Sequence, residues 1–148
     1  MRQRHHDPQG RLRLLHRLRL RGAVRMTGAA QDLVRRYLAA YAARDLAAIA
    51  PLFADDITLR DWKIRVVGKA AALAETRKNF DAVRTLQIDV LALYALHARD
   101  GGVAAELRIV VDGRDVLHVV DAFDIDADGR IAAIRAYLGR GDDEPPKA

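Results

Sequence analysis

The 148-residue chain contains no cysteine and no serine. The first absence excludes disulfides, thiolate nucleophiles and thiolate metal sites. The second excludes a serine nucleophile. Histidine is scarce: His5, His6 and His16 fall in the N-terminal segment, which leaves His97 and His118 in the body. Neither stands at metal-ligand spacing from carboxylates, so no protein-bound catalytic metal is expected. No apolar run approaches the ~20 residues that span a bilayer, which argues against a membrane-crossing role. What remains for acid/base chemistry is aspartate, glutamate, tyrosine, lysine and two histidines.

The net charge of +5 is unevenly spread. Residues 1–25 carry eight arginines against the single acid Asp7, whereas residues 26–148 carry 17 basic and 19 acidic side chains. The basic character therefore belongs to a tail, and the body has no nucleic-acid footprint. The run Arg11-Leu-Arg-Leu-Leu-His-Arg-Leu-Arg-Leu-Arg21 is compatible with a nucleic-acid arm, an anionic-membrane contact or an Arg-rich targeting peptide. It lacks serine and an uninterrupted apolar core, however. A disordered tail, or upstream sequence ahead of a true start at Met26, is the simpler reading. The domain is expected over 26–141, followed by a frayed acidic and proline-rich end over 142–148. Arginine outnumbers lysine 21 to four and alanine is abundant; this points to a GC-rich bacterial genome and a cytoplasmic protein.

With a hydrophobic fraction of 51%, the chain has the core of one domain. Thr27 is the expected cap of a helix reaching about Ala43, with Leu33, Val34, Tyr37, Leu38 and Tyr41 on its apolar side. Asp45 caps a second, short helix through Phe53, where Pro51 forces a kink or an early stop. Residues Ile57–Trp62 read as a strand, Gly68 breaks the chain, and a third helix follows over 69–83. Four strand patterns come next, over 86–96, 103–111, 114–126 and 130–138. Asp112-Gly113 and Asp128-Gly129 between them are hairpin signals. Helices followed by an antiparallel meander define an α+β fold.

Two aspartates interrupt this pattern. Asp61 follows Ile57 and Leu59 at alternate positions, and Asp121 is in register with Leu117, Val119, Phe123 and Ile125. Alternate residues of a strand share a face, so each carboxylate should point where its apolar neighbours point. A carboxylate so placed must be hydrogen-bonded, line a cavity or become neutral. Tyr37 joins them as a mid-stripe phenol whose hydroxyl needs a partner. Two of them have an ordinary alternative, Tyr37 in the core and Asp61 capping a turn after its strand; Asp121, flanked in register by apolar residues on both sides, is harder to dismiss.

The stretch Tyr37-Leu-Ala-Ala-Tyr-Ala-Ala-Arg-Asp45-Leu-Ala-Ala-Ile-Ala-Pro-Leu-Phe-Ala-Asp-Asp56-Ile-Thr-Leu-Arg-Asp61 resembles the nuclear transport factor 2-like (NTF2-like) superfamily. The likeness is closest to ketosteroid isomerases and SnoaL-like cyclases. The stretch Val119-Val-Asp121-Ala-Phe-Asp-Ile-Asp-Ala-Asp-Gly129-Arg-Ile-Ala-Ala-Ile-Arg-Ala-Tyr-Leu138 resembles the closing hairpin of the same group, and together the likeness spans 29–140. It implies a cone-shaped curved antiparallel sheet wrapped by three helices, a cystatin-like α+β roll with a deep apolar pocket. It also implies a small hydrophobic carbonyl-containing ligand and a homodimer through the open sheet face. By that resemblance Asp61 is the general base, while Tyr37 and a protonated Asp121 share the oxyanion hole. Phe53, Trp62, Phe80 and Phe123 are the expected ligand contacts, with Trp62 open between pocket wall and core. The sequence departs from the isomerases after Asp61, where Trp62-Lys63-Ile64 replaces a proline-containing loop. Helix 3 offers Thr76 and Phe80 where further tyrosines are usual.

Three functions are compatible with these residues. One is a pocket enzyme transferring a proton alpha to a carbonyl, which requires no metal or organic cofactor. Another is a non-catalytic ligand-binding or dimerisation module. The last is a hydrolase resembling limonene epoxide hydrolases, for which no strand arginine clearly serves. A fold shared by so many activities does not choose among them.

Overall fold

The computed structural model describes residues 28–148. The basic tail, Met26 and the Thr27 cap lie outside the described residues.

Helix α1 covers 28–42 and buries Leu33, Val34, Tyr37 and Leu38, with Asp32, Arg35 and Arg36 exposed on its other side. Helix α2, Leu46–Ile49, is capped by Asp45, whose side chain accepts from the Ala48 amide at 3.0 Å. Pro51 has no amide hydrogen to continue the ladder, so the chain tightens into a 3₁₀ turn over Ala50–Leu52 and leaves helix before Phe53. Phe53 was expected at the end of that helix; it instead opens strand β1, Phe53–Arg60. The strand therefore starts and stops earlier than the Ile57–Trp62 pattern. Strand β2, Arg65–Val67, pairs back on β1. Helix α3, Lys69–Asp81, follows Gly68, whose φ of 98° favours glycine at the junction.

Strands β3 (Leu86–Leu96), β4 (Gly102–Val111), β5 (Asp115–Ile125) and β6 (Ile131–Gly139) form the meander within a residue or so of the sequence pattern. At the β4–β5 turn both Asp112 and Gly113 take positive φ, 55° and 65°. The Asp112 carboxylate accepts from the Arg84 and Thr85 amides at 2.6 and 3.0 Å, which ties this turn to the start of β3.

The six strands make one sheet in the order β2-β1-β6-β5-β4-β3. All pairs are antiparallel except β1 with β6, which is parallel because β6 returns alongside β1 after the meander. Register shifts within β1–β6, β3–β4 and β5–β6 curve the sheet. The helices cover its concave face. The Tyr37 ring lies 5.8 Å from Phe53 on β1 and 5.6 Å from Phe123 on β5, which seats α1 across the middle of the sheet. Phe53, Phe123, Ile49, Ile57, Leu107, Ile131 and Ile134 form the centre of the core. No helix among the described residues is long and apolar enough to cross a membrane.

Candidate active site

Between α1, α3 and the concave sheet lies a cavity of about 410 Å³, within the range of small-ligand sites. Its floor is apolar, supplied by Leu59, Ile88, Ile109, Leu117, Val119 and Ile134. The polar groups are few. Tyr37 and Tyr41 come from α1, Asp61 and Lys63 from the turn after β1, Asp121 from β5, and Glu75, Thr76 and Asn79 from α3. Tyr37, Asp61, Trp62 and Asp121, four of the expected site residues, are brought to this one space.

Asp121 sits on the inward register of β5, opposite Ala105 and Ala136, with Val119 and Phe123 to either side. It is partly buried and lines the cavity. No side chain or amide hydrogen-bonds its carboxyl among the described residues. Loss of hydration, and next the negative charge of Asp61, push it up to about 7. Below that pH it is a neutral carboxylic acid able to donate a hydrogen bond.

Tyr37 is 4% exposed, its ring wedged among Phe53, Phe123 and Tyr41. Burial pushes its phenol well above the ordinary value, and Tyr41 and Asp121 add to the effect. The hydroxyl therefore keeps its proton to donate through the neutral range, and it has no hydrogen-bond partner among the described residues.

Asp61 is not the last inward residue of a strand, because β1 ends at Arg60. It opens a turn in which its Oδ1 accepts from the Lys63 and Ile64 amides at 2.6 and 2.8 Å. Its own amide donates to the Ile64 carbonyl at 3.0 Å. The turn-capping role is thus real, and Asp61 lines the cavity as well. Oδ1 is occupied by the turn, and Oδ2 is left without a partner among the described residues.

The apolar contacts differ from expectation. Phe53, Phe80 and Phe123 do not line the cavity: at 0, 7 and 0% exposure they are core residues behind the tyrosines. Phe53 and Phe123 flank the Tyr37 ring, while Phe80 packs edge-on against Tyr41 at 4.9 Å. A large ring directly under a helix fills the space between helix and sheet before any ligand can use it. Trp62 is 45% exposed at the rim of the cavity, which rules out the core alternative. Thr76 reaches the cavity, but its hydroxyl donates to the Ala72 carbonyl of its own helix at 2.9 Å.

Tyr41 and Asn79 were missed. Asn79 Nδ2 donates to the Tyr41 hydroxyl at 3.1 Å. Burial raises the Tyr41 phenol, the Asn79 bond opposes this, and Asp121 and Asp61 raise it further. The signal for Tyr41 was its position four residues after Tyr37 on one stripe; nothing in the sequence marked Asn79. His118 faces the opposite side of β5, in a groove on the convex sheet face, 3.0 Å from Asp143. Among the described residues no three His, Asp or Glu side chains gather as a metal site.

A six-stranded curved sheet closed over a cavity by three helices is the NTF2-like architecture. The structure is similar to an NTF2-like protein of Cytophaga hutchinsonii (TM-score 0.61, 14% identity, 74% of this chain and 89% of that one). It is also similar to an epoxide hydrolase of the LEH-like kind from M. tuberculosis (TM-score 0.64, 20% identity, 76% and 84%). A candidate ketosteroid isomerase of Kribbella flavida aligns with TM-score 0.65 and 19% identity over 81% and 84%. At these identities the likeness shows the fold alone.

Sequence goes further. Residues 34–134 match the SnoaL-like domain, and the chain belongs to that family. A protein named steroid Δ-isomerase from Nocardioides simplex is 35% identical over 122 residues, which is 79% of this chain and 95% of the isomerase.

Proposed function

We propose that the protein is a ketosteroid isomerase-like enzyme, acting on small hydrophobic ketones with a β,γ double bond. Asp61 Oδ2 takes a proton from the carbon between carbonyl and alkene, leaving a dienolate. Tyr37 and neutral Asp121 donate hydrogen bonds to the dienolate oxygen, where the charge develops. The proton held by Asp61 then returns to the distal carbon, giving the conjugated ketone and restoring Asp61. No atom is gained or lost.

The observation that carries this reading is the meeting of Tyr37, Asp61 and Asp121 on one apolar-floored cavity, with Asp121 pushed up to about 7 beside a second carboxylate. An acid raised in this way can serve as donor while the second carboxylate of the cavity serves as base. The N. simplex relative supports a steroid-sized ketone as substrate. A hydrolase of the epoxide type gains no support, because no arginine lines the cavity.

The non-catalytic reading draws on one observation, the capture of Asp61 Oδ1 by the turn amides. Turnover of a Δ5-3-ketosteroid by purified protein separates the two. The wild type is expected to form the conjugated ketone, and Asp61→Asn is expected to lower kcat by about 10²–10⁴-fold, the usual contribution of a general base. Full activity in Asp61→Asn overturns the assignment of the base. Binding of the ketone without turnover by the wild type favours the binding module.

A homodimer through the convex sheet face belongs to the same proposal. That face presents Leu91 and Tyr137 at 54 and 49% exposure, beside Val120. Isolated aromatic and aliphatic side chains on a sheet face are the material of such interfaces.

A further inference from the structure

The cavity contains a second phenol that the three-residue scheme leaves without a task. Tyr41 stands one helical turn after Tyr37, on the same side of α1, with ring centroids 5.9 Å apart. Its ring is held edge-on by Phe80 at 4.9 Å, so the hydroxyl is restricted in where it can swing. Its oxygen accepts from Asn79 Nδ2 at 3.1 Å. A phenol oxygen that accepts still carries one hydrogen to donate, and no described residue receives it. The other polar side chains that α3 gives the cavity are engaged elsewhere: Thr76 with the Ala72 carbonyl, Glu75 with Lys78 at 2.8 Å.

Tyr41 shares its cavity with Tyr37, Asp61 and Asp121, so a ligand held by those three occupies the space that Tyr41 also lines.

We infer that Tyr41, turned by Asn79, is a further catalytic residue: a third donor to the oxygen of an enolate or phenolate ligand bound by Tyr37 and Asp121. Asn79 is a positioning residue that acts through Tyr41. The inference rests on the isomerase reading for its kinetic consequence, but not for its binding consequence. Any ligand that places an oxyanion against Tyr37 and Asp121 meets the third donor.

The test uses the full chain and four proteins: wild type, Tyr41→Phe, Asn79→Ala and the double variant. Two readouts are taken: kcat and KM for a Δ5-3-ketosteroid, and the ionised fraction of bound 2-naphthol from its naphtholate absorbance. Tyr41→Phe keeps the ring packed on Phe80 and should fold as the wild type does, which circular dichroism checks. The expected result is a loss in kcat of about 10–100-fold with KM changed by less than about threefold. Bound naphthol should also be less ionised at the same pH. Asn79→Ala should produce a smaller loss of both when Tyr41 is present and none in the Tyr41→Phe background. Wild-type kcat and naphthol ionisation in Tyr41→Phe overturn the inference, as does an equal Asn79→Ala effect in both backgrounds. Absence of naphthol binding by the wild type also counts against it. A wild type that ionises naphthol through Tyr41 but turns over no ketone upholds the third donor and removes the isomerase reading instead.

Discussion

Three positions apart on β5, Asp121 and Asp124 are driven in opposite directions. Asp124 faces outward, where Arg135 makes two bonds to it at 2.8 and 2.9 Å and Arg99 one at 2.9 Å. The Arg135 bond chiefly holds its carboxyl below the usual range. Asp121 faces the cavity, meets no cation and rises to about 7. Unfolded, it should titrate near about 3.9. Between these values the folded protein binds a proton that the unfolded chain has released, so the contribution of Asp121 to stability falls as pH rises. It is fully present below the unfolded value and lost once pH passes the folded one. Thermal melts of wild type and Asp121→Asn should show the gap moving in favour of the variant from about pH 4 to about pH 7 and levelling off above that. A gap that stays constant with pH would mean that the carboxyl is already ionised at low pH. In ligand-free enzyme the same ionisation should lower kcat/KM of the wild type above about 7, a decline that Asp121→Asn should lack.

At the scale of elements, what was legible in the sequence was whatever local chemistry decides. The α1 stripe, the Asp45 cap and the four meander strands follow from periodicity and turn residues, and the structure places them where the pattern did. The parallel β1–β6 pair and the short β2 were not legible, since pairing across the length of the chain leaves no local mark. Asp61 shows the limit most clearly: alternation put it inside a strand, but the Lys63 and Ile64 amides end that strand one residue earlier. Periodicity likewise groups inward residues without separating core from cavity wall, so Phe53, Phe80 and Phe123 could not be told from ligand contacts. The β4–β5 turn offers a clean check of the local logic. Gly113 has a φ of 65°, and a Cβ there would meet nothing within 4 Å, so Gly113→Ala should cost only its left-handed backbone, about 1–2 kcal/mol. Urea unfolding measures it; an unchanged midpoint would show that the turn relaxes freely.

For the whole molecule, the curved sheet brings residues from both halves of the chain to one cavity. Tyr37 and Asp61 precede the meander and Asp121 lies within it. The convex face presents Leu91, Val120 and Tyr137 beside the C-terminal segment, and under the proposed homodimer, sedimentation of the purified protein should give a dimer that a charge at Leu91, as in Leu91→Asp, converts to monomer. A monomeric wild type would leave that face without the proposed partner. The account as a whole depends on Asp121 keeping its proton far above the ordinary carboxylate range in the cavity it shares with Asp61. Carbon-13 titration of the aspartate carboxyl carbons measures this directly. One resonance should titrate at about 7, vanish in Asp121→Asn and move to lower pH in Asp61→Asn, where the neighbouring charge is gone. Every aspartate titrating in the ordinary carboxylate range would contradict the account.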